Sequence, residues 1–229
     1  MNPPFRVLFE DQHLIVLSKE PGLLSQGDAS GEASLVDLLR VHFGRNYVGL
    51  IHRLDRNTSG LMVVAKRSKS ADRLSEQLRT GELVRQYHAV LWGHFKDSRE
   101  TFWEHHLIKD ESTNEVRTVR AGSPGAKIAT LRVLPLKSFA HPVSGDPVTL
   151  ARFSLETGRS HQIRVQSAAS GHPLIGDTKY GNRSSMGLFH RPALHSATLE
   201  FLHPMSKEKM SYVERYSSDM LRFFSTKLE

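Results

Sequence analysis

The 229-residue chain contains no cysteine, which excludes disulfide staples, cysteine-ligated zinc and thiol nucleophiles together and makes the cytoplasm the expected compartment. No apolar run approaches the roughly 20 residues of a membrane-spanning helix. The start, Met1-Asn2-Pro3-Pro4-Phe5, lacks the charged and apolar regions of a secretory leader. No membrane partner is therefore expected. A phosphate-binding loop, a dinucleotide glycine fingerprint and His-Glu-x-x-His are also missing. Gly158-x-Ser160 is followed by Gln162, where a nucleophile elbow needs its closing glycine. His52-Arg53-Leu54-Asp55 has a surface likeness to a kinase catalytic loop, but no glycine-rich loop precedes it and no Asp-Phe-Gly follows. The 13 histidines lack metal-site spacing, and the adjacent His105 and His106 diverge on a strand. Neither a metal nor a cofactor is expected. With no repeat, low-complexity tract or linker, the reading is one domain over residues 1–229.

What is present is positive charge. A net +7, from 31 Lys and Arg against 24 Asp and Glu, favours an anionic partner such as nucleic acid. Arg45, Lys66, Arg67, Lys69, Arg73, Arg79 and Arg85 are candidates to hold phosphates, though each taken singly also suits a solubilising surface residue. Short strands are predicted over Arg6–Phe9 and His13–Leu17, with a break at Pro21-Gly22. Ser34 as N-cap, Asp37 at the capping-box spacing and Gly44 as a stop frame a first helix. A second runs from about Ser70 to Thr80, with Leu74 and Leu78 inward and Gly81 closing it. A strand follows over Gln86–Trp92. The polar stretch from His94 to Gly125 reads as an excursion of hairpin and loop. Lys127–Leu134 and Val148–Leu155 read as antiparallel strands, Ser160 as the cap of a third helix that ends before Gly171, Leu194–Leu202 as a strand and Ser217–Phe224 as a helix. Strands and helices mixed with hairpins indicate an α+β fold.

Two places carry chemistry. Ile51-His52-Arg53-Leu54-Asp55-Arg56-Asn57-Thr58-Ser59-Gly60-Leu61 sets one carboxylate among basic, hydroxyl and glycine residues immediately before the apolar strand Leu61–Ala65, so Asp55 is presented on a loop held by a rigid element. Gly158-Arg159-Ser160-His161-Gln162-Ile163-Arg164-Val165 opens the third helix. His161 and Arg164, three apart, share a face near its N-terminus. With Arg159 they could hold a phosphate or orient a carboxylate, or form an ordinary solvated basic face.

His52-Arg53-Leu54-Asp55 with Thr58-Ser59-Gly60-Leu61 resembles the signature of RNA pseudouridine synthases of the RluA branch, within the RluA/RsuA superfamily. Further segments match in the same order over about residues 7–215: Asp11 to Lys19 with Pro21-Gly22, Tyr87 to Gly93, Glu156 to Val165, Gly171 to Asp177, and Leu194-His195-Ser196 through His203-Pro204. The resemblance implies the pseudouridine synthase fold, a mixed and mainly antiparallel sheet with flanking helices and a central RNA-binding cleft. It implies catalytic roles for Asp55, Tyr87 and Arg164, with Arg164 as the cation that keeps Asp55 ionised. Arg53 would open the RNA and occupy the space of the flipped base. His52, Thr58, Ser59, Gly60, Arg159, His161, Gln162 and Ile163 complete the implied substrate-binding set.

The implied reaction detaches uracil N1 from the ribose and joins C5 to the same sugar carbon, which needs a carboxylate but no cofactor. The implied partner is structured RNA, a tRNA or rRNA stem-loop whose uridine can leave its stack, and the protein is expected to be a monomer. Position 20 is Glu where the family usually passes from lysine directly to proline, and position 166 is Gln where histidine is common. Because strand signals begin at Arg6, a stand-alone catalytic domain without the S4-type RNA-binding domain is expected, with RNA selection coming from the domain itself, for instance from the excursion between His94 and Gly125. The alternative from another class is a catalytically silent RNA-binding or RNA-folding protein on the same scaffold.

Overall fold

The computed structural model describes residues 3–181 and 189–225. The chain divides into two compact units, Met1–Arg85 with His195–Ser217, and Gln86–Leu194 with Ser218–Glu229. No helix among the described residues is long and apolar enough to cross a membrane.

In the first unit β1 (Phe5–Glu10), β2 (Leu14–Lys19), β4 (Ser59–Ala65) and β10 (Leu194–Leu202) lie side by side in that order. The two-residue β3 (Gly49–Leu50) pairs with β4, and β11 (Lys209–Val213) with β10. β10 runs parallel to β4, with His195 opposite Ser59 and Ser196 opposite Gly60; the β1–β2, β2–β4, β3–β4 and β10–β11 pairs are antiparallel. β2 and β4 are buried along their whole length. That is why their apolar stretches, Leu14–Leu17 and Leu61–Ala65, read as continuous runs instead of alternating ones. Leu14, Val16, Leu61, Val63, Leu74, Leu199 and Phe201 form the core.

Helix α1 (Leu35–Phe43) carries the expected capping box. The Asp37 N–H donates to the Ser34 hydroxyl, the Ser34 N–H donates to the Asp37 carboxylate, and Gly44 closes the helix in the left-handed region. Helix α2 (Ser68–Thr80) begins two residues before the expected start. It buries Leu74 and is locked to β10 by Gln77, which donates to the Leu202 carbonyl and accepts from the Leu202 N–H, both at 2.8 Å.

The second unit holds the antiparallel order β5 (Val84–Trp92), β9 (Pro147–Leu155), β8 (Lys127–Ala140), β6 (Thr101–Asp110), β7 (Glu115–Val119). The excursion is more regular than its sequence: β6 is hydrogen-bonded on both edges, to β7 and to β8. Its face alternates only weakly between buried and exposed residues, which hides the strand period. β8 continues six residues past the expected end at Leu134, because Pro135 sits at a break in its register with β9 where a missing N–H is tolerated.

Helix α3 (Gln162–Ala169) is tied to the sheet by fully buried Gln166, whose amide donates to the carbonyls of Ala129 and Trp103 and meets the His105 ring. Helix α4 (Ser218–Ser225) is fastened by a two-point pair between Arg191 and Asp219, at 2.6 and 2.9 Å. The architecture is α+β with a mixed, mainly antiparallel sheet, as expected. β3 and β11 are too short, or too polar, to have been read.

Gly60 is the residue on which the parallel β4–β10 pairing turns. Its φ is 111°, and a Cβ there would lie 2.2 Å from the Ser196 carbonyl oxygen, which is backbone and cannot swing aside. Gly60→Ala is expected to destabilise the protein by about 3 kcal/mol or more, read as a lowered urea midpoint; a midpoint within error of wild type would contradict this packing.

Candidate active site

Asp55 lies between β3 and β4, on a loop held by its backbone on both sides. On one side the Ser25 hydroxyl donates to the Leu54 carbonyl at 2.6 Å and accepts the Leu54 N–H at 3.1 Å. On the other, Lys19 at the end of β2 is fully buried, and its ammonium donates to the carbonyls of Arg56 (3.1 Å), Leu23 (2.8 Å) and Glu20 (3.0 Å). The Gly22 N–H donates to the same Arg56 carbonyl. The Arg56 side chain returns to the Gly22 carbonyl and makes a two-point pair with Glu32. A tight turn, Thr58 N–H to the Asp55 carbonyl at 3.0 Å, then delivers the chain into β4. Asp55 is thereby held by its neighbours on either side, with its side chain partly exposed.

The other expected residues of this loop divide by exposure. Arg53 faces solvent. His52, Thr58 and Ser59 are buried, and Ser59 Oγ is 2.9 Å from His195 Nδ1. Together with Gly60 they build the frame under Asp55. His52 Nε2 accepts the Val63 N–H at 3.3 Å, so its ring is held neutral with the proton on Nδ1. Burial, reinforced by the nearby Arg85 guanidinium, pushes this imidazole from 6.5 down to about 3. Of the cations named from sequence, Lys66 pairs with Glu10, Arg67 and Arg73 donate to backbone carbonyls, Arg79 pairs with Glu76 and Arg85 is buried. Arg45 is half-buried, with its guanidinium 5.6 Å from the Phe43 ring centroid, and Lys69 is exposed.

The second unit carries the remaining expected residues. Tyr87 is buried on β5 opposite Phe153 of β9. The turn into α3 is not capped by Ser160. His161 occupies the cap position with φ 52°, a left-handed backbone unusual for a side chain other than glycine, and makes no capping bond. Gln162, the first helical residue, turns its side chain back onto the preceding loop: its Oε1 accepts the Arg159 N–H and the Thr157 hydroxyl, both at 2.9 Å, while its amide donates to the Thr130 carbonyl. Arg159 is exposed and braced on the Ile128 carbonyl. Ile163 is buried.

Arg164 makes a two-point pair with Asp177, Nε to Oδ2 at 2.7 Å and Nη2 to Oδ1 at 2.9 Å. Its guanidinium lies 5.0 Å from the Tyr180 ring centroid, and the Tyr180 hydroxyl meets His161 Nδ1 at 2.6 Å. Lys19, Ser25, Asp177 and Tyr180 were given no role from sequence. Lys19 had a legible signal, a cation at the end of a run too apolar to leave it exposed; Asp177, in Gly176-Asp177-Thr178-Lys179, reads only as a turn residue.

A profile of the RNA pseudouridylate synthase family matches residues 13–169, well over half of the chain. The chain belongs to the RNA pseudouridylate synthase family. The match runs through the Asp55 loop, Tyr87 and Arg164. Among curated relatives of the family, the ribosomal large subunit pseudouridine synthase C of Vibrio cholerae is 32% identical over 211 residues, which is 89% of this chain and 63% of that protein. The uncharacterized RNA pseudouridine synthase YjbO of Bacillus subtilis is 35% identical over 223 residues, 95% of this chain and 74% of that protein. The chain thus spans less than two thirds of the first relative. The solved structure of human RNA pseudouridylate synthase domain containing 1 shares the fold, with a TM-score of 0.73 at 24% identity over 94% of this chain and 86% of that one.

Two outcomes follow from the loop. Above pH 6.5 His52 is neutral folded or unfolded, whereas between 6.5 and about 3 the unfolded chain takes up a proton that the buried ring refuses. Its contribution is therefore intact above pH 6.5 and is lost as the pH falls, by about tenfold in the folding constant per unit. His52→Gln should narrow its stability deficit against wild type between pH 7 and pH 4.5, in urea melts at the two pH values; a constant deficit would refute the buried neutral ring. Lys19→Met strips the donor from three carbonyls and should cost about 2–4 kcal/mol, measured by the same melts at pH 7.

Proposed function

We propose that the chain is an RNA pseudouridine synthase that isomerises one or more specific uridines in structured RNA, with Asp55 as the catalytic carboxylate. The observation that carries this reading is the clamped Asp55 loop: a partly exposed carboxylate whose neighbours Leu54 and Arg56 are held by Ser25 and Lys19, with exposed Arg53 beside it. Fixed placement is what catalysis by one carboxylate requires, since a nucleophile or base contributes only when held within bonding reach of its target.

The reaction breaks the bond from uracil N1 to the ribose, turns the base and joins C5 to the same sugar carbon, while the C5 proton is released and N1 gains one. Atoms balance without a redox partner or an added group, so the reading includes no cofactor. Asp55 acts against the nucleoside as nucleophile or base. Arg164 is assigned the task of favouring the ionised carboxylate, and Tyr87 that of presenting a flat ring to the uracil and a hydroxyl able to relay the late proton.

Arg53 is assigned to the RNA, since an exposed guanidinium can fill the gap left by a flipped base. Arg159 and His161, at the opening of α3, are assigned to phosphate or base contacts, and His52, Thr58, Ser59, Gly60, Gln162 and Ile163 to shaping the substrate surface from below. The names of the synthase C relatives favour large-subunit rRNA as the substrate class, with tRNA stem-loops as the other arm of the test. A monomeric, cytoplasmic enzyme whose residues form one catalytic domain completes the reading.

Tritium release from RNA labelled at uracil C5 tests it, with total tRNA and rRNA transcripts as separate substrates. Wild type should release tritium from one of them, and Asp55→Asn should lower the rate at least about a thousandfold while RNA binding stays within a few fold. Binding without release by wild type would instead identify a silent RNA-binding protein on this scaffold. Release surviving in Asp55→Asn would remove Asp55 from the chemistry.

A further inference from the structure

Arg164 is surrounded by more apparatus than an ion pair needs. Asp177, fully buried, takes the Nε and Nη2 edge of the guanidinium in a two-point pair. Asp177 is itself fixed, since its Oδ1 also accepts the N–H groups of Lys179 (3.0 Å) and Tyr180 (3.1 Å). Those bonds bring the Tyr180 ring to 5.0 Å from the same guanidinium. The ring is anchored at its far end, where the hydroxyl accepts the Val116 N–H from β7 at 2.9 Å and meets His161 Nδ1 at 2.6 Å. His161 holds a left-handed backbone at the first turn of the helix that carries Arg164. A residue kept in that region by its surroundings commonly marks a functional site.

A guanidinium presents two hydrogen-bonding edges, a side edge from Nε and one Nη, and an end edge from both Nη atoms. With Asp177 on the side edge and Tyr180 set against the guanidinium, both the plane and the direction of the end edge are determined. We propose that Asp177 is a positioning residue: with Tyr180 and His161 it fixes the plane and direction of the Arg164 guanidinium. This rests on the catalytic role assigned to Arg164 above. Asp177 is not itself assigned contact with the RNA.

The test is a double-mutant cycle read in two ways. In the tritium-release assay Asp177→Asn should lower kcat at least about tenfold with KM changed less than about threefold, and should add less than about twofold in an Arg164→Lys background, since residues acting as a unit are not additive. The second readout does not depend on activity. In 15N spectra of the arginine side chains, Arg164 of wild type should show an Nε–H signal and separate, slowly rotating Nη signals, and Asp177→Asn should merge the Nη signals and move Nε–H, with the backbone amide spectrum otherwise retained.

Should Asp177→Asn fail to fold, Tyr180→Leu, which removes the ring while leaving the Asp177 pair, carries the same two measurements. Unchanged Arg164 signals, or a kcat loss that stays full-sized beside Arg164→Lys, would overturn the inference. Wild type that turns over no RNA would sink the synthase reading instead, and the Arg164 signals would still decide whether Asp177 holds the guanidinium.

Discussion

One buried ammonium governs the first unit. Lys19 ends a strand that is buried along its whole length, and a cation at that depth is tolerable only if every donor finds an acceptor. The acceptors it finds are the carbonyls of Glu20 and Leu23, in the turn that follows β2, and of Arg56, in the loop that bears Asp55. Two segments far apart in sequence are thereby held to one point. The extra residue between lysine and proline does not break this arrangement: Glu20 supplies one of the carbonyls, and its side chain points to solvent.

The same loop is constrained from its other end by β4, and β4 by β10. A parallel pair at Ser59 and Gly60 brings backbone to backbone so closely that no side chain fits at position 60. The run Asn57-Thr58-Ser59-Gly60 therefore serves two purposes. Its small polar residues make the turn, and its glycine lets the turn dock against Ser196. Placing a carboxylate to within a fraction of an ångström asks for this kind of redundancy, because either clamp alone would leave the loop a hinge.

What the sequence disclosed and what it hid divide along physical lines. The capping box of α1, the Gly44 and Gly81 stops, the apolar run of β4 and the position of β10 were legible because they depend on local spacing or on burial of a contiguous stretch. The start of α3 was not: Ser160 is the natural cap by residue type, but the cap position falls one residue later, on His161 in the left-handed region, which local spacing does not signal. β6 and β7 were blurred for another reason, since β6 buries neither face cleanly and β7 is mostly exposed, which leaves no clean period. Asp55 and Arg53 drew a chemical reading from their unusual company. Asp177 was not assigned, because its partners are supplied by the fold, whereas Lys19 carried a signal in its place at the end of a buried run.

Arg164 shows why such partners matter to the choice of residue. A lysine could supply the charge, but as a point charge on a flexible stem it cannot be oriented. A guanidinium can be, provided one of its edges is spent on a fixed acceptor, and the structure spends that edge on Asp177. The arrangement withdraws part of the cation's field from any second carboxylate and confers direction in exchange. Under the role proposed for Arg164, a directed and partly compensated cation suits the chemistry better than a fully available one, since an overly tight pair would hold a carboxylate back from its target.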